Sequence, residues 1–142
     1  MEQRISLITL GVADLSRART FYESLGWRGQ QVENTVFFQA GAMALVLWHE
    51  DDLAGDVGLE RSPQQKFRGV ALAHNVRSRE DVDAVVATAE AAGAEITQPP
   101  AETFYGGYAG YFTDPDGHAW EIAYNPGFPL SADGSLTIPD FG

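Results

Sequence analysis

Apolar and polar residues alternate along several short segments of the chain, and helical spacing of apolar residues follows two of them. Residues 5–12, "ISLITLGV", have the alternation that is typical of a strand. Asp14 is suited to cap the helix predicted next, because its carboxylate can accept a backbone N–H, and Gly26 is suited to end it. Further strands are predicted at residues 34–40 and 43–49.

The same order recurs in the second half of the chain. Residues 69–76, "GVALAHNV", predict a strand, and Ser78 with Asp81 three residues later resembles the capping box of a helix. A stripe of valines follows, and Gly93 ends the predicted helix. Three more strands are predicted at "AEITQP", "GYAGYFT" and "HAWEIAY", with "DPDG" as the turn between the last two.

This repeat predicts an α+β fold in which one domain contains two βαβββ modules, residues 5–50 and 67–125. The acidic segment 51–66 links the modules, and it is interpreted either as a mobile lid or as a plain connector. The tail, residues 126–142, contains three prolines and is expected to be extended and to dock on a partner subunit.

Composition narrows the classes of function. The 142 residues include no cysteine, which excludes disulfides, thiolate metal sites and a cysteine nucleophile. The formal net charge of -11 disfavours nucleic acid and anionic membrane surfaces as partners. No segment has the length of a membrane span, and the first residues lack the features of a signal peptide. We therefore expect a cytoplasmic protein.

Side chains on a strand point alternately to opposite faces, so one face of each predicted sheet packs on its helix and the other stays open. His74 is predicted on a helix side. The open faces are mostly small and apolar, a composition that suits a ligand cavity. The exceptions on these faces are Thr9, Trp48, Asn75 and Glu121, and Val46 is a further candidate ligand contact.

Two motifs, "LGVADLSRARTFYESLGW" and "GYFTDPDGHAWEIAYNP", resemble those of the vicinal oxygen chelate superfamily. That superfamily includes glyoxalase I, bleomycin-binding resistance proteins and extradiol dioxygenases. The resemblance extends over residues 5–126 and implies two βαβββ modules that form a U-shaped mixed sheet around a cavity. It also implies a homodimer, because a second subunit often completes that cavity.

The metal-dependent members of the superfamily place one ligand on the first strand and one on the last strand of each module. Here these positions fall on Leu7, Val46, Glu121 and Ala71, or on Val70 instead of Ala71 if that strand contains a bulge. Alkyl side chains have no lone pair to give a metal, and one carboxylate does not hold a transition metal against water. We therefore expect neither a metal nor another cofactor.

Glu121 has three interpretations once a metal is set aside. It is a general base, an anchor for a cationic ligand, or a structural acid that bonds to Thr9, Asn75 or water. Burial among small apolar side chains is expected to raise its pKa unless a donor pairs with it. A four-residue "DPDG" loop would put Gly110 opposite Glu121, leaving open space beside the carboxylate.

Aromatic side chains supply the other candidate contacts. Phe104 and Tyr105 in "FYGGYAGY" form either a gate over the cavity or a strand entrance stiffened by packing, with Gly106 and Gly107 permitting unusual dihedrals and close approach. Trp48 either stacks on a planar or cationic ligand or simply fills space.

Three functions are open on the sequence alone. The first is metal-independent binding of a small molecule, such as sequestration of a cationic or aromatic compound. The second is a lyase or isomerase that uses Glu121 as general base. The third is a ferredoxin-like regulatory or assembly domain that binds no ligand.

Overall fold

The computed structural model describes residues 1, 3–61 and 67–142. The chain divides into two compact units, Met1–Arg68 and Gly69–Gly142. The elements of the first unit are β1 (Leu7–Val12), α1 (Leu15–Ser24), β2 (Gly29–Val32), β3 (Thr35–Ala40), β4 (Met43–His49) and α2 (Glu50–Val57). Those of the second are β5 (Ala71–Asn75), α3 (Arg79–Ala91), β6 (Glu95–Glu102), β7 (Tyr108–Thr113) and β8 (Ala119–Tyr124).

Both units contain a four-stranded mixed sheet with the same topology, which confirms the predicted α+β fold. The strand orders are β1-β4-β3-β2 and β5-β8-β7-β6. In each sheet the first and last strands of the module pair in parallel, and the remaining pairs are antiparallel. A parallel pair requires a long crossover between its strands, and the helix and two further strands supply it in each unit.

The two predicted helix starts are confirmed by their caps. The Asp14 carboxylate accepts the Arg17 N–H at 2.9 Å, and the Ser78 hydroxyl accepts the Asp81 N–H at 3.1 Å. Beyond the helices, Gly26 and Gly93 have φ of +94° and +107°, a conformation in which an L side chain is strained. Each helix is thereby fixed in length, and its apolar stripe is directed at its sheet.

The core of each unit lies between the sheet and one helix. In the first unit Tyr22 and Phe38 have ring centroids 5.7 Å apart and are almost fully buried. In the second unit Phe112 and Trp120 stack at 6.5 Å, and α3 packs on β6, β7 and β8. The helix sides of the sheets are thus closed by packing, which leaves their opposite faces for other contacts.

Two elements differ from the sequence-based expectation. The sequence pattern does not predict β2, "GQQV", because a largely exposed strand lacks the apolar alternation. The linker, residues 51–66, is interpreted from the sequence as a mobile lid or a plain connector, and α2 occupies its first part; residues 62–66 lie outside the described residues. Acidic residues in the first turn of α2 favour the positive end of its dipole, and Gly58 ends it with φ of +78°.

Within the described residues, no helix has both the length and the apolar composition that a membrane-crossing helix requires.

Candidate functional site

Glu121 lies on the open face of the second sheet, at the middle of β8. Its neighbours in register are Ala73 on β5 and Tyr111 on β7. The next position on the same face, Ala123, is buried and small. Glu121 itself is only partly buried. Glu121 therefore lies between an alanine and a tyrosine in register and is partly accessible.

Tyr111 is the partner that the sequence did not reveal. Its hydroxyl pKa is raised, chiefly by desolvation and further by hydrogen bonding to Glu121 and by the negative charge of that carboxylate. The protonated phenol is thus the favoured form, and it is a donor beside an acceptor. Glu121 and Tyr111 together form a polar pair on an otherwise small, apolar face.

The hairpin register differs from the prediction that Gly110 lies opposite Glu121. The Asp114 N–H donates to the His118 carbonyl and the Gly117 N–H to the Asp114 carbonyl, so the loop has one residue more than expected. Gly110 consequently lies opposite Ile122 on the helix side, and Tyr111 takes the position facing Glu121. The expected open space is also absent, because a Cβ at Gly110 would lie 2.9 Å from the Pro100 Cγ.

The donor set does not fit the family's metal site. Leu7 and Ala71 are exposed and Val46 is buried, and all three are alkyl. The β5–β8 pairing has no register shift, so Ala71 rather than Val70 occupies the position on that strand. Among residues 1, 3–61 and 67–142, no group of three or more His, Cys, Asp or Glu side chains could hold a metal ion. Glu121 remains as a single carboxylate.

The three histidines lie at other places in the fold. His49 is the residue preceding α2, and His74 pairs with Ile122, which puts it on the helix side of its sheet. The Nδ1 atom of His118 lies 2.8 Å from the buried carboxylate of Asp114, within the β7–β8 turn. Asp114 also accepts the N–H of His118, so this pair holds the turn.

The open face of the first sheet carries Thr9, Val46 and Trp48. Thr9 pairs with Val46, and Gly11 pairs with Trp48. The Nε1 atom of Trp48 is buried and has no acceptor in the described part of the chain. A buried N–H without an acceptor is costly, so this indole is suited to donate to a ligand. Helix α2 covers the end of the face, since a Cβ on Gly11 would meet Glu50 at 3.1 Å.

Phe104 and Tyr105 form the tip of the β6–β7 hairpin. Phe104 is fully exposed, and the two rings are perpendicular with centroids 5.3 Å apart. Both glycines act as expected: Gly106 has φ of +80°, and a Cβ at Gly107 would lie 2.5 Å from the Tyr105 ring. The tip thus offers apolar area to solvent, and Tyr105 rests on the backbone.

Arg79 anchors this hairpin to α3. Its guanidinium donates to both carboxylate oxygens of Glu102, at 2.9 and 3.1 Å, and lies 5.4 Å from the Tyr124 ring centroid. The hydrogen bond from Arg79 lowers the pKa of the Glu102 carboxyl. Asn75, the remaining predicted contact, pairs with Ala123 and lines a cavity at the end of β5.

Two βαβββ units with open sheet faces define a glyoxalase-like fold. The family model for the glyoxalase/bleomycin resistance protein/dioxygenase superfamily matches residues 4–122. The chain therefore belongs to this superfamily, as its two motifs indicated. No protein with a curated description matches it.

Solved structures share the fold. A glyoxalase-related enzyme from Fulvimarina pelagi is 37% identical with a TM-score of 0.89, over 98% of this chain and 100% of that one. A glyoxalase/bleomycin resistance protein/dioxygenase from Nocardioides is 25% identical with a TM-score of 0.72, over 92% and 91%. A lactoylglutathione lyase from Agrobacterium tumefaciens, 21% identical with a TM-score of 0.66 over 87% and 95%, is alike in fold alone.

Proposed function

We propose that this chain is a small-molecule-binding member of its superfamily that functions without the family's metal ion. The observation that carries the proposal is the replacement of three metal-ligand positions by alkyl side chains while Glu121 is kept. Metal-assisted chemistry needs several donors around one ion. A carboxylate that is retained alone, next to a hydroxyl donor, is suited instead to contact an organic ligand.

The ligand class follows from the charge and shape of the open face. Glu121 supplies a negative charge, and the alanines beside it leave room for a flat or compact group. The net charge of -11 favours approach of a cation. We therefore propose a cationic or aromatic compound as ligand, with its positive group at Glu121 and the Tyr111 hydroxyl as a second contact.

A lyase or isomerase is the second candidate function, and the Glu121–Tyr111 pair favours it. A carboxylate can accept a proton from a substrate carbon, while a phenol held in its protonated form can donate to the oxygen on which charge develops. The Fulvimarina pelagi relative, described as a glyoxalase-related enzyme, lends this candidate further support.

The experiment that tests the proposal compares aromatic amines with their uncharged alcohol analogues, beginning with benzylamine and benzyl alcohol. Thermal stabilisation is measured for the wild type, Glu121→Gln and Tyr111→Phe. A binding protein should prefer the amine, and Glu121→Gln should remove that preference. An enzyme should keep its affinity in Glu121→Gln but lose turnover. If no compound stabilises the protein at any concentration, both candidates are contradicted and a ligand-free regulatory domain is favoured.

Homodimer formation is proposed on the family resemblance and on the apolar tail. Ile138 and Phe141 are 59% and 76% exposed, and Phe141 contacts Phe128 with centroids 6.2 Å apart. Exposed apolar side chains at one end of a chain are suited to an interface. Sedimentation velocity on the full chain and on a chain ending at residue 137 tests this proposal; a monomer in both would contradict it.

A further inference from the structure

A cavity lies at the carboxyl end of β5, lined only by residues of the second unit. Its volume is about 440 Å³, within the range of small-molecule sites. The polar side chains that line it include Asn75, Arg77 and Asp81, and its apolar wall includes Leu130 and Leu136. It therefore combines a cation, an anion and aliphatic surface in one small space.

The C-terminal segment builds one wall of this cavity. Leu130 and Leu136 pair as an isolated antiparallel bridge, and Ser131 donates its N–H to the Ser135 carbonyl at 2.9 Å. Arg77 holds this turn in place, because its guanidinium donates to the carbonyls of Leu130, Ser131 and Ala132 at 3.4, 2.9 and 3.3 Å. The two leucine side chains are thereby fixed beside the end of β5.

Arg77 keeps its positive charge in this arrangement. Carbonyl oxygens accept its hydrogen bonds without neutralising it, and it forms no salt bridge with any residue that the structure describes. These bonds use its two terminal nitrogens, so its Nε–H remains for another acceptor. The pKa of Asp133 is lowered mainly by hydrogen bonds from Ser135, and the positive charge of Arg77 contributes to the same shift. Arg77 can therefore receive a carboxylate.

Asp81 supplies the opposite charge. It lies in the first turn of α3, where its backbone N–H donates to the Ser78 hydroxyl, and it lines the cavity. Among residues 3–61 and 67–142, the Asp81 carboxylate forms no salt bridge. An exposed carboxylate at the rim of the cavity is suited to pair with an ammonium group.

We propose that this cavity binds a small zwitterion, an α-amino acid with an aliphatic side chain. The carboxylate of the ligand pairs with Arg77, its ammonium group with Asp81, and its side chain packs on Leu130 and Leu136. Neither charge alone explains the cavity, since a simple anion would be repelled by Asp81 and a simple cation by Arg77. The site is separate from Glu121 and does not depend on the function proposed for that residue.

Three probes with the same branched aliphatic body test this proposal by calorimetric titration of the full chain. Leucine carries both charges, 4-methylpentanoate the carboxylate alone, and 3-methylbutylamine the ammonium alone. Leucine should bind at least tenfold more tightly than either of the others. Asp81→Asn should remove the advantage of leucine over 4-methylpentanoate, and Arg77→Gln should weaken both of these carboxylates.

Glu90→Gln is the matched control, because it changes an exposed carboxylate of the same helix as Asp81 that does not line this cavity. It should leave leucine affinity unchanged. Arg77 also holds the C-terminal turn, so Arg77→Lys, which keeps the charge, separates loss of charge from loss of the wall. Absence of leucine binding to the wild type, equal affinity for all three probes, or full affinity in Asp81→Asn would overturn the proposal.

Discussion

Replacing Gly110 by alanine tests how closely β6 approaches β7 at the position next to Tyr111. A Cβ at this position would lie 2.9, 3.1 and 3.1 Å from the Cγ, Cδ and N atoms of Pro100. These are ring and backbone atoms that cannot rotate away. Gly110 is also buried, so the strand cannot shift outward without loss of packing. Overpacking of this kind typically costs about 1–3 kcal/mol.

Gly55→Ala is the matched control for Gly110→Ala. Gly55 lies within α2, where a Cβ would meet nothing within 4 Å. The same substitution there should stabilise the first unit by roughly 0.5–1 kcal/mol, because glycine is a poor helix former. Urea unfolding followed by far-ultraviolet circular dichroism measures both changes. A Gly110→Ala variant within about 0.5 kcal/mol of the wild type would refute the close approach of Pro100 to Gly110.

Three further outcomes are expected. Partial desolvation lowers the pKa of His74 from its ordinary 6.5, so the unfolded chain binds the proton more readily than the folded chain. Stability should therefore fall as the pH drops below about 6.5, and His74→Gln should reduce this loss in urea titrations from pH 8 to 5. Glu121→Gln should lower the raised pKa of Tyr111 in an ultraviolet titration corrected with Tyr111→Phe, and an unchanged value would contradict their contact. Asp114→Ala should destabilise the second unit by about 3 kcal/mol, since it leaves partly buried donors of the turn, including His118 Nδ1, without their acceptor; a change under 1 kcal/mol would contradict that role.

Much of the fold follows from short-range signals in the sequence. The caps at Asp14 and Ser78 and the glycines at 26 and 93 set the helix ends through local hydrogen bonds and dihedrals, which a reader of the sequence can recognise. β2 could not be predicted, because an exposed strand has no apolar alternation. α2 was not predicted either, because an acidic segment between modules is also typical of a linker. Its acidic first turn and Gly58 are nevertheless signals of a helix.

The candidate site was less predictable, because it depends on register. Because the β7–β8 loop has one more residue than predicted, Gly110 and Tyr111 exchange faces. Tyr111 rather than Gly110 therefore lies opposite Glu121. The αL conformation of Gly117, with φ of +87°, is the local signal for that longer loop. The cavity beside Arg77 could not be predicted for another reason, since it depends on long-range hydrogen bonds from Arg77 to a tail more than 50 residues away.

Metal independence is tested most directly by calorimetric titration of chelator-stripped protein with nickel, cobalt, zinc, manganese and ferrous ions, with Glu121→Ala in parallel. Leu7, Val46 and Ala71 provide no donor, so the wild type should show no tight stoichiometric binding and should match the variant. Tight binding of one ion per chain that disappears in Glu121→Ala would contradict metal independence and would make Glu121 a metal ligand.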